Sequence, residues 1–210
     1  MPRRPKTPRF KQYSVLDNTF DNFSKNISFK GGPYVLEIGC GRGDFVLELA
    51  KRHSGQEHIG IDIKSDRMLY GASAAKDQKI ANVKYLRADA RDLGRIFDSG
   101  SISGIWLTFP DPYDKKRQAK HRLTHKEFMA IYANLLPPGG WLRLKTDSDS
   151  LFIWSKEEIS RLKSWQITAS GRNLHGAMPE NSDWRIITKY EKKFIGEEQK
   201  INYLELARLN

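Results

Sequence analysis

The sequence predicts an open α/β sheet wound by helices on both faces. Three observations carry this reading. Short apolar runs of strand length alternate with longer segments whose apolar residues fall at helical spacing. A glycine-rich turn, Gly39-Cys40-Gly41-Arg42-Gly43, joins the first such strand to the first such helix. Acidic residues stand at the ends of three successive strands, at Glu37, Asp62 and Asp89.

The elements follow in order. Tyr34 to Ile38 is a short apolar strand, and Asp44 can cap the helix after the glycines, with Phe45, Val46, Leu49 and Ala50 on one face. His58 to Ile63 is a second strand, Asp66 to Lys79 a helix, Val83 to Leu86 a third strand and Arg91 to Phe97 a short helix. Ile102 to Phe109 is the fourth strand, stopped by Pro110-Asp111-Pro112, because two prolines fix φ and remove two donors. Lys126 to Leu136 reads as a helix, ended by Pro137-Pro138-Gly139-Gly140. Trp141 to Lys145 is the fifth strand, Asp149 to Leu162 a helix, Trp165 to Ala169 a sixth strand and Ile201 to Leu209 a closing strand. Ser170 to Ser182 reads as a long loop.

The N-terminus differs. Pro2 to Lys11 carries Arg3, Arg4, Lys6, Arg9 and Lys11 among three prolines, which predicts a mobile arm. Phe20 to Phe29 adds three phenylalanines and Ile27, which should lie against the domain edge. Residues 1–30 are therefore a basic arm and edge segment, and residues 31–210 one domain.

The formal net charge of +11 over 210 residues favours a polyanionic partner, nucleic acid foremost. No apolar run approaches the roughly 20 residues of a membrane span, and the N-terminus has no secretory apolar region, so a cytoplasmic protein without membrane contact is expected. The single cysteine, Cys40, excludes an intrachain disulfide and a cysteine-rich zinc site, and the five histidines have no metal spacing.

In a sheet of this kind ligands bind at the carboxyl ends of the strands. The dinucleotide fingerprint would place a third glycine where Asp44 stands, and a carboxylate there would repel a pyrophosphate. Glu37 and Asp44 suit a ligand with positive charge and no phosphate, and S-adenosylmethionine has both properties. Asp62 can accept from its ribose hydroxyls and Asp89 from its adenine amine. With Gly39, Gly41 and Gly43 these acids resemble the class I S-adenosylmethionine-dependent methyltransferases over roughly Tyr34 to Ala169. That resemblance implies a Rossmann-like sheet, mostly parallel with an antiparallel closing strand.

On the acceptor side two resemblances compete. Asp111-Pro112-Tyr113 half matches the N/D-P-P-Y/F motif of amino-group methyltransferases, in which the acid and a proline carbonyl accept from an exocyclic amine. A longer match is to the tRNA (guanine-N7)-methyltransferase family. It covers Phe109-Pro110-Asp111-Pro112-Tyr113, the basic run Lys115, Arg117, Lys120, Arg122 with Leu123, then Leu144 to Asp147, then Thr188-Lys189-Tyr190-Glu191. Asp62 stands where many members have Glu, Tyr113 where Trp is frequent, Asp114 where His is frequent and His121 at a position often Arg.

This resemblance implies methylation of guanine N7 in the tRNA variable loop. N7 carries a lone pair and no proton, so Asp111 would orient the base and stabilise the cationic product rather than act as an obligatory base. Lys115 is a candidate donor to guanine O6 or a phosphate, and Arg117, Lys120 and Arg122 are candidate tRNA contacts. Asp147, Thr188, Lys189, Tyr190 and Glu191 are carried over as guanine or site-closing contacts. Trp184, beside Arg185, is the one tryptophan to test for base stacking. The rival readings are methylation of an exocyclic amine of RNA or of a protein, and a non-catalytic tRNA-binding homologue. Monomer and homodimer both remain open.

Overall fold

The computed structural model describes residues 8–188, 191–192, 196 and 200–210. Helix α1 (Pro8–Ser14) and strand β1 (Thr19–Asp21) precede the repeating part. That part runs β2 (Tyr34–Ile38), α2 (Asp44–Arg52), β3 (Glu57–Asp62), α3 (Ser65–Asp77), β4 (Val83–Arg87), α4 (Leu93–Ile96), β5 (Ile102–Thr108), α5 (Lys126–Leu135), β6 (Trp141–Thr146), α6 (Asp149–Ile159), β7 (Trp165–Gly171), α7 (Leu174–Ala177) and β8 (Asn202–Arg208).

The strands form one sheet in the order β1-β4-β3-β2-β5-β6-β8-β7. Every pairing is parallel except those of β8, which runs antiparallel to both β6 and β7 and closes the sheet. Alternate residues along each strand enter different cores, the mark of a sheet covered on both faces. Leu36, Leu86, Ile105 and Leu107 pack with Leu93, Phe128, Tyr132 and Phe152 from α4, α5 and α6. On the other face Tyr85 packs with Val46 and Met68 from α2 and α3. There Val35 and Trp106 join Phe45, Leu49 and Trp184. The order reverses between β2 and β5, so their carboxyl ends frame a crevice.

Three local expectations change. Part of the basic arm is helical: α1 packs on the domain through Tyr13, whose buried hydroxyl donates to Tyr85 O at 2.8 Å. Residues 1–7 lie outside the described residues. The edge segment adds strand β1 beside β4, with Phe20 and Phe29 edge to face at 5.1 Å. The loop expected from Ser170 contains the end of β7 and the single turn of α7. Among the described residues no helix is long and apolar enough to cross a membrane.

Candidate active site

The glycine loop is held from below by a carboxylate. Glu37, 1% exposed at the end of β2, accepts from Val46 N at 3.0 Å through Oε2 and from the Thr108 hydroxyl through Oε1. It thus supplies the N-terminal cap that the sequence assigns to Asp44. Asp44 instead lies in the first turn of α2 and pairs with Arg42 at 3.3 Å, while the preceding Gly43 takes the left-handed conformation with φ of 74°. A Cβ at Gly43 would sit 2.2 Å from the Tyr85 ring, so only glycine fits that turn.

Burial pushes the Glu37 carboxyl up to about 8. The charge that favours a cationic ligand therefore does not come from Glu37, which lies beneath the loop. The folded state holds this proton more tightly than the unfolded chain does. The resulting stabilisation is full below about pH 4.5 and is lost as pH rises through about 8. Each unit between the two values is worth about 1.4 kcal/mol. Glu37→Gln keeps an acceptor for Val46 N and gains a donor for Thr108. Denaturant unfolding at about pH 5 and about pH 9 should show the wild type losing stability relative to this variant as pH rises.

Four of the five loop N–H groups are already engaged. Gly39 N and Cys40 N donate to Ile61 O at 2.8 and 3.0 Å, and Gly43 N donates to Cys40 O at 2.8 Å. Gly41 N donates to Asp62 Oδ2 at 3.0 Å. A pyrophosphate would have to displace these bonds, so the loop is not a phosphate cradle.

Above it lies a cavity of about 260 Å³ at the carboxyl ends of β2, β3, β4 and β5. Asp62 and Asp89, from β3 and β4, line it on one flank of β2, and Phe109, Pro110, Asp111 and Tyr113, from β5, on the other, with Leu123 near Gly39 between them. Asp62 Oδ1 accepts from Lys64 N at 2.8 Å, and burial raises its carboxyl. Asp89 accepts from Arg91 N at 2.9 Å and from the Arg91 guanidinium at 3.1 Å. Arg91 also lies 3.4 Å from His121 Nδ1 and 5.3 Å from the Phe128 ring centre, which joins the two sides. Burial, and secondarily the charge of Asp111, push the Tyr113 hydroxyl up, so it stays protonated as a donor.

Sequence reasoning missed Arg91, His121 and Phe128 as lining residues. Arg91 was one charge among many, and Phe128 fits the apolar face of a helix. The spacing of Arg91 two residues after Asp89 was the signal available.

The basic run divides. Lys115, Arg117 and Lys120 are exposed on and beside a short 3₁₀ helix, Lys116–His121. Arg122 is 5% exposed, with Nε donating to Pro112 O at 2.9 Å and Nη2 to Tyr113 O at 3.1 Å. Arg122, expected as a tRNA contact, has its guanidinium turned inward to these carbonyls.

The late motif is also rebuilt. Glu191 is 0% exposed, and its Oε2 accepts from Lys145 Nζ at 2.7 Å. Glu191 N donates to Thr188 Oγ1 at 3.0 Å, while Thr188 N donates to Glu191 Oε2 at 3.3 Å. These are the reciprocal bonds of a capping box. Thr188 and Glu191 thus brace this segment against Lys145, an arrangement that bears on the expected site-closing role, with the buried Glu191 carboxylate turned to Lys145. Lys189 and Tyr190 lie outside the described residues. Trp184 is buried against Trp106 with ring centres 4.9 Å apart, so it offers no face to a base. Asp147 follows β6, half-buried and outside the cavity lining.

Comparison with known proteins places this arrangement. A family described as putative methyltransferase matches residues 31–204. A tRNA (guanine-N(7)-)-methyltransferase of Macrococcus caseolyticus is 38% identical over 173 residues, 82% of this chain and 80% of that protein. One from Cytophaga hutchinsonii is 32% identical, covering 98% of each chain. The crystal structure of the 16S rRNA methyltransferase KamB shares the fold, with a TM-score of 0.63 at 16% identity over 95% of this chain and 92% of that one.

Proposed function

The chain belongs to the tRNA (guanine-N(7)-)-methyltransferase family, and on that premise we propose that its cavity carries methyl transfer from S-adenosylmethionine to N7 of a guanine in the tRNA variable loop. The observation that carries this reading is one cavity at the switch point with Asp62 and Asp89 on one side and Asp111 on the other. Three carboxylates among a lining that also holds Lys64, Arg67 and Arg91, and a glycine loop without a phosphate cradle, fit an adenosyl ligand with a cationic centre. When bound, S-adenosylmethionine supplies an electrophilic methyl group.

The chain's own residues do the rest. Asp62 and Asp89 are placed to accept from ligand hydroxyl or amine groups, Asp89 by giving up the Arg91 guanidinium. Asp111 faces the acceptor, and its carboxylate stabilises positive charge as it develops on the guanine ring. No general base is required, because N7 carries no proton. Lys115, Arg117 and Lys120 point outward beside Asp111 and meet phosphates, which offsets the cost of about a few kcal/mol of unstacking the base.

In the exocyclic-amine reading a proline carbonyl accepts from the amine; here Pro112 O accepts from the buried Arg122 and keeps a second lone pair, so the preference for N7 rests on the family relationship. Nucleoside analysis of unmodified tRNA treated with labelled S-adenosylmethionine tests the choice. Label in 7-methylguanosine is the expected result, and label in an N-methylated exocyclic amine would transfer the assignment to the rival.

A further inference from the structure

The excursion from Phe109 to Leu123 carries the acceptor-side acid on a segment poorly equipped to hold itself. Pro110 and Pro112 have no N–H to bond. Phe109 and Tyr113 flank them with φ of 49° and 47°. Such left-handed positions cost a non-glycine residue energy and persist only where the surroundings enforce them. Upstream, Phe109 N donates to Lys145 O at 2.8 Å. Downstream, Ser150 on α6 donates to Asp114 Oδ1 at 2.9 Å, and the group that bonds the backbone itself is Arg122. It bonds the carbonyls of Pro112 and Tyr113, the two residues that follow Asp111. Its guanidinium lies 4.5 Å from the Trp154 ring centre on α6, and its own N–H donates to Ala119 O at 3.1 Å. Two carbonyl dipoles and an aromatic face therefore meet this buried charge, and the loop is closed across ten residues of sequence.

We infer that Arg122 is a positioning residue for methyl acceptance: by pinning the two carbonyls after Asp111 it fixes the Asp111 carboxylate and turns Lys115, Arg117 and Lys120 outward. This rests on the reading of Asp111 as the acceptor-side acid. It differs from the role a basic run suggests, in which Arg122 is one more phosphate contact.

The two roles separate in the variants. Arg122→Ala should lower kcat about a hundredfold, the scale of an ångström of misplacement, with a smaller change in the KM for tRNA. Its salt dependence should keep the wild-type slope, whereas Lys120→Ala should reduce the slope of log affinity against log salt by about one. Arg122→Lys keeps the charge but cannot bond two carbonyls and stack in one plane, so it should be nearly as impaired as the alanine variant. Amide exchange across residues 109–121 should quicken in both variants, with the unfolding midpoint recorded beside it. Where Arg122→Ala does not fold, Arg122→Lys carries the test. Wild-type kcat and exchange in Arg122→Lys, or a reduced salt slope in Arg122→Ala, would overturn the inference. If the wild-type chain methylates no tRNA, the functional reading fails, while exchange across 109–121 still reports whether Arg122 holds the loop.

Discussion

Asp111→Ala is expected to drop methyl transfer to tRNA by about two to three powers of ten while S-adenosylmethionine still binds. The expectation follows from where the strand ends. β5 delivers Phe109 to the cavity, two prolines end the strand, and Asp111 lines the same cavity as Asp62 and Asp89, from the other flank of β2. Its carboxylate is exposed to the cavity mouth rather than spent on a helix cap. A fixed negative charge beside a ring that becomes cationic lowers the barrier without any proton moving. Asp111→Asn should therefore lose nearly as much as Asp111→Ala, because the shape is kept and the charge is not. Calorimetric titration with S-adenosylmethionine, beside single-turnover methylation, separates binding from chemistry. Loss of cofactor binding in either variant would put Asp111 on the wrong side of the cavity.

The second large effect is on stability. Glu191→Ala should cost about 3–5 kcal/mol in denaturant unfolding, the usual penalty for removing one partner of a buried ion pair. Lys145 and Glu191 are both fully buried and meet at 2.7 Å, and Lys145 also donates to Trp184 O and Ile186 O at 3.0 Å. Burial alone pulls the Lys145 ammonium down, and Glu191 is the charge that opposes this. Without the carboxylate the lysine must deprotonate or drag water into the core beneath Trp184. The double variant Lys145→Met/Glu191→Leu should recover much of the loss, because apolar side chains can replace a buried pair at little net cost. A Glu191→Ala protein of wild-type stability with a raised KM for tRNA would restore Glu191 as a substrate contact and refute the brace.

Most of the sheet was legible because its strands are continuous apolar runs separated by glycine, proline and helical spacing. Asp62, Asp89 and Asp111 come together because each stands at or just past the end of a parallel strand, and parallel strands present those ends on one side. Burial of charge was not legible. Arg122 reads as a tRNA contact and Glu191 as a guanine or site-closing contact, and nothing local shows that one will meet a carbonyl ten residues back and the other a lysine 46 residues away. The cap on α2 was misplaced for the same reason, since Glu37 reaches it from the preceding strand. β1 has three residues and α1 seven, too short for periodicity to mark. The tryptophan cluster shows the opposite limit: Trp106, Trp141 and Trp184 pack around Arg143, whose Cζ lies 4.4 Å from the Trp141 ring centre, so aromatic residues near cations form core here rather than a base platform.

The most direct test is methyl transfer from labelled S-adenosylmethionine to unmodified bulk tRNA, followed by borohydride reduction and aniline cleavage, which cut the chain at 7-methylguanosine. The account requires incorporated label together with a cut in the variable loop. Label without cleavage would contradict N7 as the acceptor, and tRNA binding with no label would contradict the enzyme assignment of this cavity.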